Sequence, residues 1–293
     1  NWTWYFKASR TDNGTIAQAI ISLRNKYPIK EMCDIMDVNR SSLYYKQKPK
    51  KQNIELENMV IEIFNENKKV YGAKKIKIIL EERNIFVSKR TIRKIMEKYN
   101  LVSCYNKRSY KPAKSGVNDS KNQNLLNQNF NVDQEMRVVV SDLTYVRVKD
   151  RWAYICVLVD LFNREIISYK VGYEKDAELV LKTFAKIKHK LRKIEIFHTD
   201  RGMEFKNYKI DNLLLRNNIK HSLSRKGCPY DNAVCENIYK TIKTEFVRNR
   251  KFESLVQLEI ELAGYIYWYN NKRIHGALDY MTPMDYKKCR LAV

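Results

Sequence analysis

Three carboxylates in the C-terminal half of this 293-residue chain stand where a charge needs a reason. Asp142 lies inside Val-Val-Val-Ser-Asp-Leu-Thr-Tyr-Val, in the middle of a β-branched run. A charge there is costly unless it is paired or binds a cation. Asp200 follows a short apolar run in His198-Thr199-Asp200-Arg201-Gly202, the strand-end position that carries sites in open α/β sheets. Glu236 falls in the first turns of a helix entered through Gly227-Cys228-Pro229-Tyr230-Asp231-Asn232. Hard cations such as Mg²⁺ take oxygen ligands of this kind. Two such ions can activate a nucleophilic oxygen and stabilise a leaving oxygen in phosphoryl transfer. Other acids nearby have plainer roles: Asp231 and Asn232 suit the turn or N-cap of that helix, and Asp160 suits a strand end.

The elements that must hold these acids read as an α/β domain. Alternation of β-branched residues predicts strands over 137–148, 152–161 and 165–172, joined by short connections as an antiparallel meander. A helix over 176–191 and a buried, parallel-type strand over 194–198 follow. Helices are expected at 204–217, 231–249 and 253–271, with a short strand at 219–223.

The N-terminal half reads as all-helical. Helices at 15–27 and 29–36, separated by Pro28, lead through a turn at 37–39 to a polar helix at 40–46. This helix-turn-helix outline offers Arg40, Ser41, Ser42 and Tyr44 to DNA. The outline recurs: a helix at 55–67, a Tyr71-Gly72 turn, a helix at 73–83 with Ile76, Ile79 and Leu80 inward, and a third at 89–99 capped by Ser88. That last helix carries Lys89, Arg90, Arg93 and Lys94 along one side. The expected division is a first helix-turn-helix within 1–50, a second within 51–102, a basic linker over 103–131, and a catalytic domain over 132–293. The linker carries Lys107, Arg108, Lys111 and Lys114.

Composition supports a polyanionic partner. Fifty-six Lys and Arg oppose 33 Asp and Glu, a formal charge of +23, which points to nucleic acid. Residues 1–130 are the more basic part, with 26 basic against 12 acidic side chains. A hydrophobic share of 44% excludes disorder over the whole length. No apolar run approaches the ~18 residues of a spanning helix, so no membrane role is expected. The longest clean run, Ala153 to Leu161, has strand length. The six Cys and four His have no zinc spacing, and a cytoplasmic protein with reduced thiols is expected. The chain opens without Met and shows no signal peptide. Position 1 is therefore not read as a natural start, and residues 1–13 carry no fold expectation.

Two long motifs carry a family resemblance. The run Ser222-Leu-Ser-Arg-Lys-Gly-Cys-Pro-Tyr-Asp-Asn-Ala-Val-Cys-Glu-Asn-Ile-Tyr-Lys-Thr-Ile-Lys-Thr-Glu245 closely resembles second-frame (OrfB-type) transposases of the insertion sequence 3 family. So does Tyr265-Ile-Tyr-Trp-Tyr-Asn-Asn-Lys-Arg-Ile-His-Gly-Ala-Leu-Asp-Tyr-Met-Thr-Pro283. Asp142-Leu-Thr-Tyr and His198-Thr-Asp-Arg-Gly202 match the family's two Asp motifs, and 35 residues separate Asp200 from Glu236, as in its acid triad. Lys243 supplies the basic residue seven positions after the Glu. Val139 stands where a Trp is usual, and Arg201 replaces a Gln. Neither departure touches an acid.

The resemblance implies a ribonuclease-H-like core, with a mixed five-stranded sheet and helices, behind an all-α tandem helix-turn-helix region. It implies a DDE transposase, in which Asp142, Asp200 and Glu236 bind two Mg²⁺, with Mn²⁺ as a substitute, and cut and join DNA. Lys243 is expected to hold DNA near the metals, and Arg225 and Lys226 to grip phosphate. Tyr269, Asn270, Arg273 and His275 are expected to pack the core, His198 to orient, and Trp152 and Trp268 to be buried. The partners implied are double-stranded DNA at the element ends and target, other copies of the chain on DNA, and a fused upstream-frame product. A non-catalytic helix-turn-helix regulator, an inactive element-derived remnant and a structure-specific nuclease stand as alternatives. A retroviral-type integrase would bring an N-terminal zinc module, for which the Cys and His positions make no provision.

Overall fold

A computed structural model describes residues 13–44, 53–106, 124–126, 130, 132–225, 233–248 and 250–292. It divides the chain into two units, residues 1–54 and 55–293. In the first unit, α1 (Asn13–Leu23), α2 (Ile29–Met36) and α3 (Arg40–Leu43) bury Ile20, Met32, Cys33 and Leu43 against one another. Helix α1 stops four residues short of expectation. The amides of Lys26 and Tyr27 both turn back to the Leu23 carbonyl, which closes the helix ahead of Pro28. Asp37 ends α2 in the left-handed region at φ 55°.

The second unit opens with α4 (Ile54–Glu66), α5 (Ala73–Glu82) and α6 (Lys89–Lys98). Ser88 caps α6 as expected, its Oγ accepting from the Thr91 amide at 3.1 Å. Val60, Ile63, Ile76, Leu80 and Ile92 are buried at helical spacing and join the large core of the unit.

Five strands then form one mixed sheet in the order β3-β2-β1-β4-β5. Strands β1 (Val138–Val148), β2 (Arg151–Asp160) and β3 (Ile166–Gly172) are the antiparallel meander. Strands β4 (Ile196–Thr199) and β5 (Lys220–Leu223) add in parallel, with Val140 opposite His198 and His198 opposite Ser222. Alternation along β1 feeds two layers. Val138, Val140, Val146 and Val148 face α9 (Ala233–Ile242) and α10 (Leu255–Asn271). Val139 faces the other layer, with α7 (Ala177–Ala185) and α8 (Tyr208–Arg216). This is the ribonuclease-H-like architecture expected from the motifs.

Several boundaries differ from the sequence reading. Helix α7 ends at Ala185, and the chain continues as a tight turn over Lys188–Lys193. Helix α8 begins at Tyr208 because Asn207 caps it, accepting from the Lys209 amide at 3.0 Å. Helix α9 runs from Ala233 to Ile242 and then widens into a π turn, Lys243–Val247. A last helix, α11 (Pro283–Leu291), is capped by Thr282. Trp152 is a correction: it is half-exposed, not core. It sits at the first, uncovered end of β2, edge-on to Tyr145 with ring centroids 5.2 Å apart. Trp268 is buried as expected. Among the described residues no helix is long and apolar enough to cross a membrane.

Candidate active site and nucleic-acid interface

The parallel pairing of β1 with β4 brings the two aspartates together. Asp142 and Asp200 each lie two residues beyond the paired Val140 and His198, so Asp142, within β1, and Asp200, just past the end of β4, stand side by side on neighbouring strands. Asp142 Oδ1 accepts the Leu143 amide at 2.7 Å, and Asp200 Oδ1 accepts the Gly202 amide at 2.9 Å. Burial, reinforced by the Asp200 charge, pushes the Asp142 carboxyl up to about 7. Asp200 is also raised, chiefly by burial and then by Glu204.

Glu204 was not anticipated from sequence. Its side chain is buried and ion-paired with Lys175 at 2.9 Å. Its carboxylate lies over Gly202, where an added Cβ would stand 2.4 Å from Oε1, so a larger residue there would push the carboxylate from this place.

Glu236 approaches on α9, from the layer that Val140 and Val146 of β1 face. Helix α9 is pinned to the sheet by Tyr239, whose hydroxyl accepts the Val157 amide at 3.0 Å and donates to the Asp142 carbonyl. A groove of about 470 Å³ between them is lined by Asp142, Thr144, Glu236, Lys240, Lys243 and Arg248. Glu236 is exposed along it. The Lys243 ammonium lies 4.2 Å from the Tyr145 ring centroid, a cation–π contact.

Among the described residues no three His, Cys, Asp or Glu side chains stand close enough to hold a metal ion together. The Asp142–Asp200 pair by itself fits a divalent cation. Both are oxygen donors, both are desolvated, and the Asp142 carboxyl is raised by the Asp200 charge, a cost that a bound cation relieves.

The other expected site residues fall into three groups. His198 is fully buried and bonded to Ser222 Oγ at 2.9 Å, an orienting place in the core. Asp160 accepts the Met136 and Phe162 amides at 2.9 and 3.0 Å, a structural role. Asn270 exchanges two 3.0 Å bonds with the Ile166 backbone and so fastens α10 to β3. Arg273 forms a two-point ion pair with Glu245, at 2.7 and 2.9 Å, with both side chains buried. Tyr265 donates to Glu245 as well. Tyr269 and His275 stack edge-on beside this pair.

The basic helix faces are separate from this. In the first unit Arg40, Ser41, Ser42 and Tyr44 are exposed on and just after α3. In the second unit Lys89, Arg90, Arg93 and Lys94 are exposed on α6, and Arg225 is exposed after β5. Lys226, Asp231, Asn232 and the four basic linker residues lie outside the described residues.

The second helical region is fixed to the catalytic half. The Tyr71 hydroxyl accepts the Ile274 amide at 2.9 Å and donates to the Lys272 carbonyl at 3.3 Å. Lys75 donates to the Ile274 carbonyl at 2.7 Å. Tyr105 donates to Glu245. Ser103 and Cys104–Asn106, expected to open the linker, are part of this packing.

A mixed sheet with aspartates on two adjoining strands, one within β1 and one just past β4, and a glutamate-bearing helix across a groove defines an integrase-type core. Family models agree: residues 132–229 and 236–291 match "Integrase core domain", and 50–109 match "HTH-like domain". The transposase for insertion sequence element IS904 of Lactococcus lactis is 31% identical over 248 residues, spanning 83% of this chain and 98% of that protein. The putative transposase InsK for insertion sequence element IS150 of Escherichia coli K12 is 28% identical over 271 residues, 90% of this chain and 95% of that protein. The chain belongs to the insertion sequence 3 family of transposases. Among solved structures, the catalytic core domain of BIV integrase is 19% identical, with a TM-score of 0.42 over 54% of this chain and 97% of that one.

Proposed function

We propose that this chain is a DDE transposase that binds the ends of its insertion sequence and nicks and joins DNA, with Asp142, Asp200 and Glu236 as its acids. The observation that carries this reading is the side-by-side placement of Asp142 and Asp200, with Glu236 on the wall of the same groove as Asp142. The aspartate pair, with Glu236, would hold Mg²⁺ or Mn²⁺, two ions in all, which when bound would make the attacking hydroxyl more acidic and offset charge on the departing oxygen.

The chain's own residues supply position and charge. Tyr239 fastens α9, and with it Glu236, to β1 and β2. Lys240, Lys243 and Arg248 give the groove the positive charge that a phosphodiester backbone needs. In nicking, a water oxygen bonds to phosphorus, the P–O3′ bond breaks, and the 3′-oxygen leaves protonated. In joining, that 3′-OH bonds to the phosphorus of a target phosphodiester and loses its proton to solvent, while the target's P–O3′ bond breaks and its 3′-oxygen departs with a proton taken from solvent. The bonds made and broken match in number, so no external energy source is required. The exposed residues of α3 and α6 would read the element ends, with several copies of the chain bringing two ends together. A product fused to an upstream frame is a further candidate for the active form.

The test uses purified protein, labelled DNA from both borders of its own gene, and Mg²⁺ or Mn²⁺, with products read on a denaturing gel. Nicked and joined strands are expected, and they vanish with Glu236→Gln while DNA binding persists. Specific border binding without products from either protein would favour the regulator.

A further inference from the structure

Helix α9 has a second wet face. Opposite the groove that holds Glu236, a cavity of about 480 Å³ is lined by Lys75, Arg164, Arg273, His275 and Asn237. Three sequence regions meet there: the helical region at Lys75, the turn between β2 and β3 at Arg164, and the C-terminal motif. Among the described residues no acidic side chain lines it. Arg273 already has its carboxylate in Glu245. Arg164 does not: Nη2 donates to the Phe130 carbonyl at 3.1 Å, and Nη1 is buried with no hydrogen-bond partner among the described residues. Its backbone is also held in the left-handed region, at φ 61°, which costs a non-glycine residue energy.

A buried guanidinium nitrogen without a partner among the described residues is rare in folded proteins, and an anion in the cavity would satisfy it. The cavity's chemistry defines that group. It offers a planar guanidinium fork, an ammonium, an imidazole, and the positive end of α9, whose first residues, Ala233 and Val234, line it. Lys75 and His275 are both held toward their neutral forms by burial and by the Arg273 charge. An anion would reverse that.

We infer that this cavity is a phosphate site that takes a backbone phosphodiester of the DNA strand engaged at the catalytic groove. The inference rests on the transposase reading for its choice of DNA. Groove and cavity share α9 as a common wall, and a helix with its side chains is about 10–12 Å across. At about 3.4 Å per nucleotide of one strand, the contacted phosphate lies roughly three nucleotides from the reacting one.

The test is phosphate-neutralisation interference with the full chain. Border DNA carrying a single methylphosphonate at each position in turn is bound in Ca²⁺, so that affinity is read without cleavage. For the unmodified protein, one neutral linkage within about four nucleotides of the cleaved bond should weaken binding by about tenfold. Arg164→Gln should bind all-phosphate DNA about tenfold more weakly and be indifferent to that linkage. Its log–log salt slope should fall by about one. Arg164→Lys should recover part of the affinity, and Lys75→Gln repeats the test if Arg164→Gln does not fold by circular dichroism. A variant profile that keeps the full sensitivity at every position overturns the inference. So does a free phosphate site: inorganic phosphate binding lost in Arg164→Gln while the interference profile is unchanged. Failure of the transposase reading looks different, as border DNA then binds with this profile but is never nicked in Mg²⁺.

Discussion

Replacing Arg273 with Met should strip Glu245 of its counter-charge at the junction between the helical region and the catalytic half. The Glu245 side chain is fully buried, and the guanidinium meets both of its oxygens at 2.7 and 2.9 Å. The hydroxyls of Tyr105 and Tyr265 remain but carry no charge. Breaking a buried pair from one side costs about 3–5 kcal/mol, a fifth or more of a typical domain's roughly 5–15 kcal/mol. At about 2–4 °C per kcal/mol for a unit of this size, the midpoint should fall by around 10 °C. Urea denaturation followed by circular dichroism measures the loss directly. The companion Glu245→Gln/Arg273→Met protein should recover to within about 2 kcal/mol of the parent, because no charge is left unpaired. A single-variant loss under about 1 kcal/mol, or no recovery in the double variant, would refute the reasoning.

Other outcomes follow from the same structure. Asp142→Asn should lower nicking by about a thousandfold or more while border binding, read by gel shift, changes little. Lys75 is buried, and its amine is pushed down to about 7. The unfolded chain therefore binds that proton more tightly than the folded one does. The folding penalty is full below pH 7 and lifts as pH rises toward the unfolded value. Wild-type stability minus that of Lys75→Met should rise by about 2 kcal/mol between pH 7 and 9, checked by urea melts at each pH. Arg93→Ala on exposed α6 should weaken border binding and lower the salt slope by about one, with no change in thermal midpoint.

Much of the sheet was legible because side-chain alternation is a local signal. The run from Val138 to Val148 declares its two faces, and Asp142 stands out against them. The end of β4 at Asp200 was legible for the same reason. Glu236 needed the family resemblance, since a glutamate in a helix's first turn is commonplace. What failed depends on contacts distant in sequence. Trp152 reads as core by composition, but only the layers beyond the sheet decide which end of β2 they cover. The π turn at Lys243 is invisible to a helical period. Arg164 and Lys75 look like ordinary surface cations until the turn after β2 and α5 are brought to one cavity. Glu204 is one more acid until Gly202 leaves room for it.

The bonds from Tyr71 to Lys272 and Ile274 span 201 and 203 residues. Synthesis at about 5–20 residues per second puts roughly 10–40 seconds between the appearance of one partner and the other. Helices α4 to α6 therefore leave the ribosome long before the surface that completes them. Tyr71 is fully buried in the finished protein, and during that interval it has no seat. A chain that stops short of Ile274 keeps its sheet and all three acids yet never closes this junction. Premature termination near the end of the message should thus leave the helical region tied to the catalytic half by fewer bonds, Tyr105 to Glu245 among those that remain.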